Sequence, residues 1–414
     1  MHVVILNTVV LNCGDAAILK AEIEILRRVF GTDVELTVYD SHPAVAGRHY
    51  PCIRFRRSPY WDLAQSSGDS SYKIGPVHLV RFSAAFRLHR TGLRRLSLRL
   101  AKDHAQFVED LASADLIIST GGTYLVEQYD LDERIFLLRA AVASGRPLVF
   151  YTQSLGPFRK PSNRRSLRRV LAYADLILVR DIESRSSVQD LGVRTATHVV
   201  ADAAFGLLEP NSFRRPPPQS WSPKRVALSV RSWPYFERFS PEEGMKRYTA
   251  SVRGLVAYLT QTYGSEITFI SSCQGVPDYH DDSKLASNIV KALPPAVAAK
   301  VVLDRSFNTP SRLAEKLSAF DMVVATRMHV AILALTRGIP VFPIAYEFKT
   351  RALFEQLGFP QWVQDIEDLD PSLLRQALES WINGLPACRD ALFDAVESQY
   401  TSAVSVATLL AQLH

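Results

Sequence analysis

HVVILNTVVLNCGDAAILKAEIEILRRVFGTDVELTVY, residues 2–39, decides the fold class. His2 to Leu6 is a short apolar run and Leu11 to Asp15 reads as a turn. Ala16 to Phe30 then places Ile18, Leu19, Ile23, Leu26 and Val29 at helical spacing, and Val34 to Tyr39 reads as a strand. Strand, loop, helix, strand is the βαβ unit of a parallel sheet, in which neighbouring strands need a long crossover. The unit recurs. Asp115 to Ser119 reads as a buried strand ending in Gly121-Gly122, Ile135 to Ala143 as a helix and Pro147 to Thr152 as a strand. Further strands are expected at Leu176 to Val179 and Val199 to Ala201.

Pro210 to Pro223 holds prolines at 210, 216, 217, 218 and 223, which regular structure does not tolerate, so it reads as a linker. After it the pattern restarts: strand Val226 to Val230, helix Gly244 to Tyr263, strand Ile267 to Ser271, helix Ser283 to Leu293, strand Val301 to Leu303, helix Pro310 to Phe320, strand Met322 to Ala325. An α/β protein of two domains is expected, 1–209 and 224–370, facing each other across a cleft. Ligands on such sheets sit beyond the C-terminal strand ends. From 371 to 414 the chain reads as helices, one ending near Trp381 to Gly384 and another over Arg389 to Leu410, with packing back onto the first domain as one arrangement.

Composition agrees. A chain of 414 residues, 47% hydrophobic, supports two cores, which excludes disorder, fibres and disulfide scaffolds. Cys13, Cys52, Cys273 and Cys388 show no C-x-x-C or Cys/His pairing, so no metal cluster is expected and the thiols read as reduced and cytosolic. Neither a signal peptide nor a spanning helix is expected. With 48 Lys+Arg against 42 Asp+Glu, the chain suits acidic partners.

An insertion at about 60–105 carries Arg81, Arg87, Arg90, Arg94, Arg95, Arg99 and Lys102 among leucines and phenylalanines. The plain reading is a helix packed by its Leu/Phe stripe; the sharper one is contact of residues 78–102 with an anionic membrane surface or lipid-linked substrate. Nucleic acid is not expected as partner, because Phe82 and Phe86, four apart on one helical face, read as core rather than as base-stacking residues.

Four loops after predicted strands collect polar residues. Asn12-Cys13-Gly14-Asp15 leads into a helix whose free N–H groups suit an anion or sugar hydroxyl, unless Asp15 merely caps the helix. Gly121-Gly122-Thr123-Tyr124 admits close backbone approach to a ligand, or is an ordinary turn. Arg180 leaves a buried strand beside Asp181, either to grip a carboxylate or phosphate or to make a surface pair of little worth. Arg327 and His329 stand at one strand mouth and Lys349, after Gly338-Ile339-Pro340 and strand Val341 to Ile344, at the next. Three cationic or protonatable groups thus converge on one anionic ligand. P-loop, H-E-x-x-H, G-x-S-x-G and complete G-x-G-x-x-G motifs are absent from the sequence.

N-x-G-D-x-A at 12–17, G-G at 121–122, Q-S-L-G-P at 153–157, V-R-D-x-E-S at 179–184, D-A-A-F at 202–205, S-V-R at 229–231, R-M-H at 327–329 and Lys349 occur in order. Together they resemble the polysaccharide pyruvyl transferase family from Asn12 to Lys349. The resemblance implies two Rossmann-like domains similar to GT-B glycosyltransferases, and transfer of the pyruvyl group of phosphoenolpyruvate onto two sugar hydroxyls as a cyclic ketal. It implies donor contacts from Arg180, Arg327, Met328, Lys349 and Arg231, and places Asn12, Gly14, Gly121, Gly122 and Thr123 in the acceptor and loop positions. His329 becomes general acid or phosphate ligand, and Asp15 the acceptor-side base, with Glu183 and Asp278 as further options. Thr123 stands where a third glycine is more usual. No cofactor or metal is implied, because arginine and lysine supply the charge. A saccharide acceptor, lipid-linked or not, and a cytoplasmic setting, free or peripheral at the inner face of the membrane, are expected. Truncating His329 or Arg327 should cost the fold little. A nucleotide-sugar glycosyltransferase is the competing reading, through the E-x7-E spacing of Glu347 and Glu355.

Overall fold

The computed structural model describes residues 1–66, 76–210, 213, 221–274 and 280–413. Most of the linker expected at 210–223, the middle of the insertion and Asp278 lie outside the described residues. The chain divides into two compact units. The first holds Met1–Val10, Ile18–Ala203 and the stretch from Val404 on; the second holds Leu11–Ala17 and Ala204–Ala403.

The first unit is built on β1 (His2–Thr8), β2 (Glu35–Asp40), β3 (Arg54–Arg56), β4 (Leu116–Ser119), β5 (Gly122–Leu125), β6 (Leu148–Leu155), β7 (Leu176–Val179) and β8 (Thr197–Val199). Their order is β3-β2-β1-β4-β6-β7-β8, with β5 beside β6 and every pair parallel. On β1, Ile5 faces Val38 of β2 and Ile118 of β4. β4, β6 and β7 are buried along their whole length, as strands covered on both faces must be, and this is why they read as unbroken apolar runs.

The second unit carries β9 (Arg225–Ser229), β10 (Glu266–Phe269), β11 (Val301–Leu303), β12 (Met322–Ala325), β13 (Val341–Ala345) and β14 (Gln364–Asp365) in the order β11-β10-β9-β12-β13-β14, again parallel. Both units are thus helix-covered parallel sheets. Among the described residues no helix is long and apolar enough to cross a membrane.

Three local expectations shift. The strand expected at Val199 to Ala201 runs over Thr197–Val199, paired with β7. Gly122 does not sit in a simple turn but opens β5, in a left-handed conformation (φ +134) that glycine alone adopts cheaply. The C-terminal region is one helix, Pro371–Ala411, without the break read at Trp381 to Gly384. Pro386 removes one backbone donor inside it, but Trp381, Ile382 and Leu385 before and Leu392, Phe393 and Val396 after are all buried, and that packing outweighs the lost bond. Trp381 anchors the helix edge-on to Trp362 and Phe342 at 5.9 and 5.8 Å.

The insertion forms two helices, Pro76–Arg90 and Arg94–Ala101. Phe82 and Phe86 are fully buried, as expected of core residues. Phe82 meets Phe107 and Phe136 at 5.7 and 5.8 Å, and Ser97 Oγ donates to the Ala85 carbonyl at 2.7 Å to stitch the two helices together.

Beneath the C-terminal ends of β1, β4 and β6 lies a buried polar layer. Asn7 Nδ2 and Gln153 Nε2 donate to Ser119 Oγ at 3.1 and 2.7 Å, and Thr120 Oγ1 donates to Glu22 Oε2 at 2.7 Å. Burial pushes the Glu22 carboxyl up to about 8, with the Thr120 bond opposing the shift only in part. The unfolded chain loses this proton near its ordinary value of 4.5. Stability from the protonated form is therefore complete below that value and drains away as pH rises towards 8, by at most about 5 kcal/mol. Melting temperature should fall between pH 5 and 9 in the native chain, and Glu22→Gln, neutral throughout, should remove most of that slope; an unchanged slope would clear Glu22 of responsibility.

Candidate active site

In the second unit, Arg231, Arg327 and Tyr346 follow β9, β12 and β13, adjacent parallel strands, at their C-terminal ends. Arg327 leaves β12 and begins the helix Met328–Leu335, yet its side chain turns inward: it is 6% exposed and forks onto Asp282, with Nε to Oδ2 at 3.1 Å and Nη2 to Oδ1 at 2.5 Å. Burial alone disfavours its charge; Asp282, with Cys273 and Tyr346, outweighs that and raises the guanidinium well above its ordinary range. Truncating Arg327 is therefore not the cheap change expected of a cleft-facing group, because it strands a buried carboxylate.

Asp282 reaches further. Its Oδ2 also lies 3.3 Å from the Cys273 amide and 3.4 Å from Ser272 Oγ. Ser272 and Cys273 in turn hold the N-terminal loop: the Cys13 amide donates to the Ser272 carbonyl at 2.9 Å, and Asn12 pairs with Cys273 in an antiparallel bridge. The helix Cys13–Phe30 starts earlier than its periodicity suggests, because Asn12, not Asp15, caps it. Asn12 Oδ1 accepts from the Gly14 amide at 3.0 Å, and its Nδ2 donates to Asp15 Oδ2 at 2.8 Å. Asp15 is thereby left in the first helical turn with a side-chain partner that fixes its direction. Both thiols here are buried; burial pushes Cys13 far up and Cys273 to about 12, so neither is a nucleophile.

Gly14 closes the loop on itself. A Cβ there would fall 2.4 Å from His329 Nδ1 and 2.7 Å from its Cβ, so the imidazole packs on a surface that only glycine offers. Met328, beside it, is buried core. The Tyr346 ring carries the remaining cations. The Arg231 guanidinium lies 4.2 Å from its centroid and Lys349 Nζ 5.3 Å, while Arg231 also donates to the Tyr346 hydroxyl and sits 5.3 Å from the Trp233 ring. Lys349 pairs with the buried Glu347 at 2.6 Å. Glu355 is exposed on the helix Phe348–Gln356, so the two glutamates do not share an environment. Asn12, Gly14, Asp15, Arg231, Arg327, Met328, His329 and Lys349 are all residues of this unit.

Gly121, Gly122, Thr123 and Arg180 belong to the first unit. Arg180 is buried and makes no surface pair with Asp181. Its Nε donates to Ser154 Oγ at 2.7 Å, Nη1 to Asp202 Oδ2 at 2.5 Å and Nη2 to Thr123 Oγ1 at 2.5 Å. Asp181 caps the next helix, accepting from the Ser184 amide at 2.7 Å. Gly121 has no room for a side chain: a Cβ would meet Thr152 Oγ1 at 2.5 Å. Glu183 is exposed on that helix.

Sequence reasoning missed Asp282, Asp202, Tyr346 and His280. Asp202 stood in the quoted D-A-A-F without a role. Asp281-Asp282 offered a faint signal: Asp281 alone caps the helix Asp282–Lys291, accepting from the Ser283 amide at 2.9 Å, so the second acid was surplus to capping. The His280 imidazole titrates below its ordinary value, through partial burial and the Arg327 and Arg231 charges, and stays neutral near pH 7.

Asp282→Leu alone should cost about 3–5 kcal/mol in urea unfolding, by leaving Arg327 buried without a counter-charge. Asp282→Leu with Arg327→Met should regain most of that stability; if the double variant is as unstable as the single one, the pair is not the element that matters.

Comparison with known proteins follows the same lines. The AmsJ amylovoran biosynthesis protein of Erwinia amylovora is 25% identical over 289 residues, covering 68% of this chain and 67% of AmsJ. Among solved structures, HepE of Anabaena, in complex with UDP and glucose, superposes with a TM-score of 0.57 at 14% identity, over 100% of this chain and 99% of HepE. The lipopolysaccharide outer core galactosyltransferase WaaB gives 0.54 at 14% identity, over 100% and 99% of the two chains. These likenesses show the fold, two Rossmann-like α/β units of the GT-B kind. The polysaccharide pyruvyl transferase family model matches residues 12–347, and so takes in Asn12, Gly14, Asp15, Asp282, Arg327 and His329. This chain belongs to the polysaccharide pyruvyl transferase family and is a transferase acting on polysaccharide.

Proposed function

We propose that the enzyme takes the pyruvyl group from phosphoenolpyruvate and sets it as a cyclic ketal across two hydroxyls of a saccharide, releasing phosphate. The observation that carries this reading is the set of cations at neighbouring strand ends, Arg231 and Lys349 on the Tyr346 ring and Arg327 held by Asp282, beside the His329 imidazole. A small trianion needs such fixed charges for its carboxylate and phosphate, and pre-set cations stabilise developing charge without reorganisation.

The chemistry balances without a cofactor or metal. His329 gives a proton to the methylene carbon, and positive charge develops at the central carbon. One sugar hydroxyl attacks there and loses its proton to Asp15, or to the neutral His280. The carbon–oxygen bond to phosphate then breaks, and the second hydroxyl closes the ketal. Of the two hydroxyl protons, one restores the acid and one leaves with phosphate. Arg180, engaged by Ser154, Asp202 and Thr123, takes the part of a brace for the loop Gly121–Thr123 within the first unit. We place this chemistry in the cytoplasm, in assembly of envelope polysaccharide or glycolipid, in line with the biosynthetic relative AmsJ.

Phosphoenolpyruvate should raise the melting temperature well beyond phosphate or pyruvate, a ligand at a hundredfold its dissociation constant contributing about 2.7 kcal/mol. Stabilisation by nucleotide sugars alone would instead favour glycosyl transfer. His329→Ala should keep the donor-induced shift and lose roughly 10²–10⁴-fold in turnover if it is the acid; loss of the shift assigns it to phosphate. Gly14→Ala should lower turnover through displacement of His329, with donor binding by Lys349 and Arg231 retained.

A further inference from the structure

Seven of the 48 basic residues and none of the 42 acidic ones lie between Pro76 and Lys102, which leaves the rest of the chain with 41 basic against 42 acidic residues. The net positive charge of the protein is thus the charge of this helix pair. Packing does not use the whole surface of the pair. Phe82, Ala85, Phe86, Ser97 and Ala101 are buried against the first unit or each other, which satisfies the core. Leu93 and Leu96, at the start of Arg94–Ala101, remain 52% exposed each. Arg95, Arg99 and Lys102 follow at helical spacing and are exposed beside them, while Arg94 is drawn aside to Glu109 at 2.7 Å.

We propose that the Pro76–Ala101 helix pair docks on a bilayer rich in anionic phospholipid, with Leu93 and Leu96 seated among the headgroups and Arg95, Arg99 and Lys102 on lipid phosphates. Exposed leucines ringed by arginines, on a stretch of 27 residues without one carboxylate, match an interface that is apolar below and negative above. The long arginine side chains reach the phosphates while their stems cover apolar surface. The docking goes beyond the pyruvyl-transfer reading and does not rest on it.

The test is flotation of the full chain with vesicles of phosphatidylcholine alone and with added phosphatidylglycerol, at about 0.1 M and 1 M salt. Binding is expected only to the anionic vesicles, weakened by salt. Leu93→Ser with Leu96→Ser, and separately Arg95→Glu with Arg99→Glu, should each weaken it about tenfold or more with unchanged melting temperature. Equal binding of the leucine variant would overturn the proposal in favour of a generic polyanion surface, and so would absence of vesicle binding or preference for a nucleic acid competitor. Donor-induced thermal shift is read on the same variants: a chain that floats but ignores phosphoenolpyruvate sinks the pyruvyl reading alone, and one that responds to it without floating sinks the docking alone.

Discussion

One carboxylate, Asp282, organises the second unit's strand ends. It neutralises Arg327 inside the protein and, through Ser272 and Cys273, ties that arginine to the loop Asn12–Asp15. The loop returns the connection through Gly14 to His329, two residues beyond Arg327. The path is a closed ring of backbone and side-chain contacts, so no member can move far without disturbing the next. A guanidinium and an imidazole on a short helix are in this way held by groups outside that helix. Such fixation is what electrostatic catalysis asks of a protein, since charges already in place need no rearrangement during reaction.

The first unit repeats the device with different residues. Arg180 and Asp202 form a second buried ion pair at strand ends, and Ser154 and Thr123 complete the arginine's bonds. Buried pairs of this kind add little net stability over apolar residues of similar size, because desolvation cancels most of their attraction. Their value is geometric. A hydrophobic substitute would pack, but it would not set the direction of a loop as the fork between Thr123 and Asp202 does. The threonine at position 123 gains meaning here: its hydroxyl accepts from Arg180, so the departure from a third glycine supplies a bond rather than merely removing freedom.

Much of this was legible. Apolar runs such as Leu176–Val179 and Met322–Ala325 announced buried parallel strands, and the order of motifs announced the family, because strand burial and loop chemistry are both written in short contiguous stretches. Arg180, Arg327, His329 and Lys349 were visible as strand-end cations. Their partners were not, since Asp202 and Asp282 pair with residues 22 and 45 positions away and nothing local marks an aspartate as buried. Arg327 consequently looked exposed and cheap to remove. The continuity of Pro371–Ala411 was hidden for the same reason, as Pro386 and Gly384 are local signals while the packing that overrides them is not.

The contact between Gly14 and His329 joins residues 315 positions apart in sequence, and the second unit needs Leu11–Ala17 to be whole. During synthesis the strands of the first unit's sheet are present by Val199, while the ring around Asp282 must wait for His329. Closure of that ring therefore has to follow the appearance of the first sheet's strands. A chain stopped before Ser272 carries the loop Asn12–Asp15 without the groups that hold it in place.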